Sequence, residues 1–282
     1  MLALGVTGDV GAGKSTLTRL WGEMGASVID ADHIVRDLWL RPSVVAGAVS
    51  LWGKEILDEE GGVRSSAVAS IAFGSREEYR RLNGLIHPLV RIEMNRRASC
   101  LEGWVVAEIP LLFETGPPEW VDVSVYVTSP ERARIERNAF RGWTPGEIER
   151  REAFLLPSRE KKNRADIVIE NDGDLGALAE KAQEMAASFR RQADLLWCSA
   201  NFDRQEEALR HKDRLCRSRL ALDFCITSHD GAAGGIKTVR MTFITRGSLL
   251  PRLGLPGDGV IALPVRRMPY SRRAALSEGL LP

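Results

Sequence analysis

No apolar run in this 282-residue chain comes near the roughly 20 residues that a membrane-spanning helix requires. That argues against a helical membrane protein. The N-terminus lacks the basic segment and apolar core of a secretory signal. Cysteine is scarce: Cys100, Cys198, Cys216 and Cys225 are too few to staple a chain of this length. With His211 and His229 they also lack the closely spaced Cys pairs of structural zinc modules, so buried or incidental thiols are expected. These absences together predict a cytoplasmic protein with no membrane partner. No internal repeat is present.

A net charge of one sign is missing as well, since 39 Lys and Arg face 38 Asp and Glu. The balance hides an asymmetry. Residues 1–199 carry 25 basic against 30 acidic side chains, and residues 200–282 carry 14 against 8. Such a shift marks a boundary near residue 195. The basic residues beyond it are scattered, which reads as a solvated surface and gives no reason to expect a nucleic-acid partner.

What is present is an ordinary globular composition, 44% hydrophobic and 27% charged, in a chain longer than the usual domain of about 100–200 residues. Two domains are expected. Over residues 1–195, strand signals at 2–7, 27–30, 104–109, 121–127 and 165–170 alternate with helix signals at 14–24, 31–40, 43–52, 65–73, 76–100, 131–140 and 174–192. Pro130 suits the first position of the helix it opens, and Thr144 with Glu147 forms a capping box for another. Alternation of this kind predicts a parallel sheet with helices on both faces.

The stretch that organises the chain is Gly8-Asp9-Val10-Gly11-Ala12-Gly13-Lys14-Ser15-Thr16. It matches G-x-x-x-x-G-K-[ST] between a strand and a helix, the context the motif needs. Gly11, Ala12, Gly13, Lys14, Ser15 and Thr16 would turn their amides inward as an anion nest at a helix N-terminus. Lys14 would reach the terminal phosphates of a nucleotide, and the Ser15 hydroxyl would ligate Mg²⁺. The plain alternative is a Gly-rich turn capping a structural helix. Ligands of such sheets collect beyond the carboxyl ends of the strands. Asp30, Asp32, Glu108 and Glu114 stand there, and if the second strand persists one of Asp30 and Asp32 faces the site while the other caps a helix. Arg132, Arg134, Arg137 and Arg141 follow the fourth strand, where guanidinium groups could stabilise a transferring phosphoryl group.

Together with Val28-Ile29-Asp30-Ala31-Asp32, Leu85-Ile86-His87-Pro88-Leu89-Val90, Ile109-Pro110-Leu111-Leu112-Phe113-Glu114 and Ala165-Asp166-Ile167-Val168-Ile169-Glu170-Asn171, the loop resembles the dephospho-CoA kinase family over residues 1–195. That family is a P-loop relative of the nucleoside monophosphate kinases. The resemblance implies a three-layer P-loop domain that moves the γ-phosphoryl group of ATP to the ribose 3′-hydroxyl of dephospho-CoA, the last step of CoA biosynthesis. It implies Lys14, Asp32, Arg137 and Arg141 as catalytic, Asp32 serving either as base or as orienting group. Asp32, His87, Glu108, Pro110 and Leu111 would line the acceptor site, and ATP and Mg²⁺ would be required. Three positions depart from the family pattern: Glu108 for an Asp, Leu155 for a Gln, and Arg141-Gly142-Trp143 at the lid tip. Trp143 would either stack on a base or pack the lid.

Residues 194–282 read as strands at 195–200, 220–228, 236–245 and 259–264, with helices at 203–219, 246–253 and 270–281. That order predicts a small α+β module of ferredoxin-like type, with Gly231–Gly235 as a loop. Cys198-Ser199-Ala200, Thr245-Arg246 with Leu249-Leu250-Pro251, and Ile261-Ala262-Leu263-Pro264-Val265 faintly resemble the divalent-cation tolerance protein family, which implies a homotrimer. The motif of that family before its last strand is replaced here by Gly254-Leu255-Pro256-Gly257-Asp258, so metal binding is not carried over. Two other functions compete: a P-loop kinase for another small nucleoside acceptor, and a noncatalytic oligomeric protein with a decayed nucleotide site.

Overall fold

The computed structural model describes residues 1–229, 238–255, 260–265, 268 and 270–280. The loop expected at Gly231–Gly235, the Pro256-Gly257-Asp258 stretch and the side chain of His229 lie outside them. Two compact units divide the chain: Ala3–Leu101 with Val105–Gln183, and Glu184–Pro282 with Met1–Leu2 and Glu102–Trp104.

The first unit is built on a five-stranded sheet of β1 (Leu2–Gly8), β2 (Ser27–Asp30), β3 (Trp104–Glu108), β4 (Val123–Thr128) and β5 (Ile167–Glu170), ordered β2-β3-β1-β4-β5. The pairs β2–β3, β1–β4 and β4–β5 run parallel. Every residue of β1, β3 and β4 is buried. Near-continuous apolar runs of this kind are what a parallel sheet covered on both faces requires. The crossovers are α1 (Lys14–Glu23), α2 (Ala31–Leu38), α3 (Pro42–Trp52), α4 (Ser65–Ala72), α5 (Arg76–Ser99), α6 (Glu131–Ala139), α7 (Pro145–Glu152), α8 (Ser158–Arg164) and the start of α9 (Leu175–Ala193). Pro130 stands one residue before α6 as its cap, at φ −52° and ψ 141°, and not at the first helical position. Thr144 caps α7 through a bond from Glu147 N at 3.3 Å, as its spacing predicts. Helices α3 to α5 close their own apolar cluster around Val44, Ala48, Ile56, Val68 and Ile86.

A buried charge fixes α5 against α2. Glu93 accepts bonds from Arg96 at 2.7 and 3.0 Å and from Arg97 at 3.0 Å, and Arg97 also reaches Asp37 of α2 at 3.0 Å. Hydrogen bonds from Arg96 and Arg97 hold the Glu93 carboxyl at about 2, below its ordinary 4.5. A depressed carboxylate adds stability above its unfolded value and loses it as pH falls through the folded one. Glu93→Gln should therefore unfold at lower urea than the parent at pH 7. That difference should shrink as pH falls from about 4.5 toward about 2, read by urea titration across the range.

The second unit carries an antiparallel sheet of β6 (Leu195–Phe202), β7 (Leu222–His229), β8 (Thr238–Arg246) and β9 (Ile261–Pro264), ordered β7-β8-β6-β9, with α10 (Gln205–Arg217) and α11 (Tyr270–Gly279). Cys198 and Phe243 face each other across β6 and β8 in its core, beside Ala200, Met241 and Leu215. The strand order is the ferredoxin-like one. The short helix expected over 246–253 is a 3₁₀ turn, Gly247–Arg252, because Pro251 and a six-residue length cannot sustain α-helical bonding.

Candidate active site

The loop after β1 turns through three glycines. Gly13 caps α1 at φ 99°, where a Cβ would stand 2.5 Å from Asn171 Nδ2, and on Gly11 (φ 77°) a Cβ would stand 2.2 Å from Asn138 Nδ2. Both places demand glycine for conformation and for space. Asn171 donates to Ala12 O at 2.8 Å, so the end of β5 supports the loop from below. Lys14 Nζ donates to Gly8 O at 3.2 Å and Asp9 O at 2.9 Å. Burial pulls its pKa down, against the nearby charges of Glu108 and Asp32. Gly11, Gly13, Lys14, Ser15 and Thr16 line a cavity of about 740 Å³, while Ala12 is buried beneath them.

Opposite the loop stand the ends of β2 and β3. Asp30 caps α2, accepting from His33 N at 3.0 Å, which leaves Asp32 in the first turn to line the cavity. The cleft walls and the neighbouring Asp30 push the Asp32 pKa up, with Lys14, Arg36 and Arg141 opposing. Glu108, buried at the end of β3, accepts from Ser15 Oγ at 2.8 Å and Thr18 Oγ1 at 3.3 Å. Burial raises its pKa too. His87, Pro110 and Leu111 complete this side. Desolvation lowers the His87 pKa, favouring the neutral ring. A second cavity of about 630 Å³ shares Asp32, Val35, His87, Pro110 and Leu111 with the first and adds Met94, Ile109 and Pro118.

Helices α6 and α7, with the turns that follow each of them, form the third wall. Arg137 and Arg141 line the cavity, as does Trp143. Arg137 donates to Ser129 Oγ at 2.9 Å and lies 3.5 Å from Gly11 O. Arg132 instead pairs with Glu136 at the surface. The Arg151 guanidinium sits 4.1 Å from the Trp143 ring centre and 4.6 Å from that of Phe73. Trp143 thus packs the lid against a cation, a favourable geometry for an indole.

A model of the dephospho-CoA kinase family matches residues 2–177 of this chain. The chain belongs to that family. A dephospho-CoA kinase from Corynebacterium diphtheriae is 37% identical over 200 residues, spanning 69% of this chain and all of that protein. The solved structure of TT1252 from Thermus thermophilus is 31% identical and superposes with a TM-score of 0.56 over 66% of this chain and 96% of that one. The periplasmic divalent cation tolerance protein CutA from Archaeoglobus fulgidus is 17% identical and aligns over 30% of this chain and 97% of its own, at a TM-score of 0.26.

In this family member the sequence-selected residues Lys14, Ser15, Asp32, His87, Glu108, Pro110, Leu111, Arg137 and Arg141 meet around one cavity. Reading the sequence missed Arg151, also in the cavity wall, because it sits in the charged run Glu147-Ile148-Glu149-Arg150-Arg151-Glu152, which resembles a solvated helix face. It also missed Asp9. That buried carboxylate accepts from Ser158 at 2.5 Å, Thr128 at 2.8 Å and Tyr126. Burial would raise its pKa, but those hydroxyls and the charge of Arg134 hold it below the ordinary value. The only local signal was an acid where the loop needs no side chain.

Proposed function

We propose that the chain transfers the terminal phosphoryl group of ATP to the ribose 3′-hydroxyl of dephospho-CoA. The observation that carries this reading is the junction of the two cavities at Asp32, His87, Pro110 and Leu111. Donor phosphates on the loop amides and an acceptor reaching in from the second cavity would meet beside Lys14 and Asp32. Phosphoryl transfer asks for positioning and charge stabilisation more than covalent chemistry. Lys14, Arg137 and Arg141 supply positive charge around the transferring group. Asp32 orients the acceptor hydroxyl or takes its proton. The lid helices keep water from the nucleotide.

Mg²⁺ fits the residues present. Ser15 and Glu108 offer hard oxygen donors 2.8 Å apart, and Glu108 is a buried carboxylate whose charge a cation would stabilise. Ser15 would hold the ion directly and Glu108 directly or through water, with the ion drawing charge from the phosphate oxygens. Among the described residues no three His, Cys, Asp or Glu side chains gather as a metal cage, and a magnesium shared between few protein ligands and substrate phosphates needs none. Glu108→Gln should raise the Mg²⁺ concentration for half-maximal rate by on the order of tenfold, measured by metal titration at saturating ATP.

The test of the function is product analysis with the full chain, ATP, and dephospho-CoA or nucleoside monophosphates in parallel. Phosphorylation of dephospho-CoA alone sustains the reading; phosphorylation of a monophosphate alone overturns it. No described helix is long and apolar enough to cross a membrane, and we place the protein in the cytoplasm, where ATP and CoA precursors meet. Residues 1–193 carry the transfer in this reading. Homotrimer assembly through residues 194–282 rests on the motif resemblance of that segment, and light scattering of the full chain reads it.

A further inference from the structure

The phosphate loop is tied to the lid at its apex. Between Gly8 and Gly11 only Asp9 and Val10 carry side chains, and glycine flanks give the apex no stiffness of its own. Both polar groups of Val10 are nevertheless bound. Val10 N donates to Glu152 Oε1 at 3.2 Å, and Arg134 Nη1 lies 3.4 Å from Val10 O while pairing closely with the same Glu152 oxygen. Asp9, beside it, is bonded to Ser158 at 2.5 Å. Glu152 ends α7 and Ser158 begins α8. The connection between these helices is thus pinned at both ends to adjacent loop residues, and it carries Leu155 into the cavity wall. Arg151, one residue before Glu152, lines the same cavity.

We propose that Glu152, held by Arg134, is a positioning residue that sets the phosphate loop and the lid wall bearing Arg151 in register for the nucleotide. A surface ion pair would only add a little stability. This one is half-buried, with the Arg134 side chain 14% exposed and Glu152 30%. It also binds backbone, so its loss frees a loop whose placement matters at the ångström level. A shift of about 1 Å at such a site can cost on the order of 100-fold.

The inference rests on the kinase reading only for its turnover readout, since nucleotide binding can be measured without an acceptor. Glu152→Ala should weaken ATP binding by about tenfold or more, judged by calorimetry on the full chain, and raise KM for ATP while leaving KM for dephospho-CoA within about twofold. Glu152→Gln keeps an acceptor for Val10 N and should stay within about threefold of the parent on both readouts. Should Glu152→Ala not fold, Arg134→Met must show the same selective loss of ATP affinity. Lowered melting temperature with unchanged ATP affinity, or equal losses for both substrates, overturns the proposal. Failure of the parent to use dephospho-CoA, with ATP binding intact, would sink the kinase assignment alone.

Discussion

Lys14→Met lowers kcat for phosphorylation of dephospho-CoA by on the order of 100- to 1,000-fold or more, the scale seen when a key charge-stabilising donor is removed. The stem of Met fills the same space, so the loss isolates the ammonium. In the present structure Nζ bridges Gly8 O and Asp9 O, which places it at the mouth of the loop where terminal phosphates would sit. Burial already depresses its pKa, and a bound polyphosphate would raise it by favouring the charged form. Arg is no substitute, because a planar fork cannot replace a compact ammonium between two carbonyls. Losing the two bonds takes one donor from each carbonyl, with Asp9 O keeping Ala12 N, and also relieves the burial of a charge, so the change in melting temperature is small beside the loss of rate. Steady-state kinetics beside thermal melts separate the two effects. A kcat within tenfold of the parent would contradict the assigned role.

The phosphate loop was legible because its glycines, lysine and hydroxyls follow one another in the chain, and strand and helix flank them with clear apolar periods. The lid was legible only in part. Arg137 and Arg141 follow a strand end, where position nominates them no more than Arg132 and Arg134, and only the family resemblance singled them out. Helix α8 went unrecognised: its seven residues Ser-Arg-Glu-Lys-Lys-Asn-Arg bury only Lys161, which pairs with Glu114 at 2.9 Å, and one buried lysine makes no apolar period. The same blindness hid Glu152 and Ser158, whose partners Val10 and Asp9 lie about 150 positions away. Bonds between residues so distant in sequence leave no local trace. The choice between Asp30 and Asp32 also had to wait for the backbone. Only the end of β2 at Asp30 and the turn into α2 decide which carboxylate is spent as a cap.

That choice sets up an unusual pair of effects for Asp32→Asn: stability rises, and activity falls if the carboxylate takes the proton. An amide keeps the size and one acceptor of the carboxylate but cannot take a proton, so kcat should drop by about 100- to 10,000-fold if Asp32 is the base, the range for a positioned acid or base. If it only orients the hydroxyl, Asn retains most of the rate. The pH profile divides the cases further. Desolvation by the cleft walls and repulsion from Asp30 raise the Asp32 pKa above its ordinary 3.8, so the acid limb of kcat/KM lies above that value and activity climbs as the group ionises. In the variant the contribution of Asp32 to that limb disappears and the contribution of Glu108, also raised, remains. For stability the sign is the reverse of the usual carboxylate. A raised folded pKa means the charged form is disfavoured in the native state, so at neutral pH the parent holds this charge at a cost. Removing it should raise the melting temperature at pH 7 and have little effect below the ordinary pKa, where both proteins are neutral there. A variant that loses both activity and stability would mean that Asp32 holds the fold together, and the base would have to be sought elsewhere in the cavity.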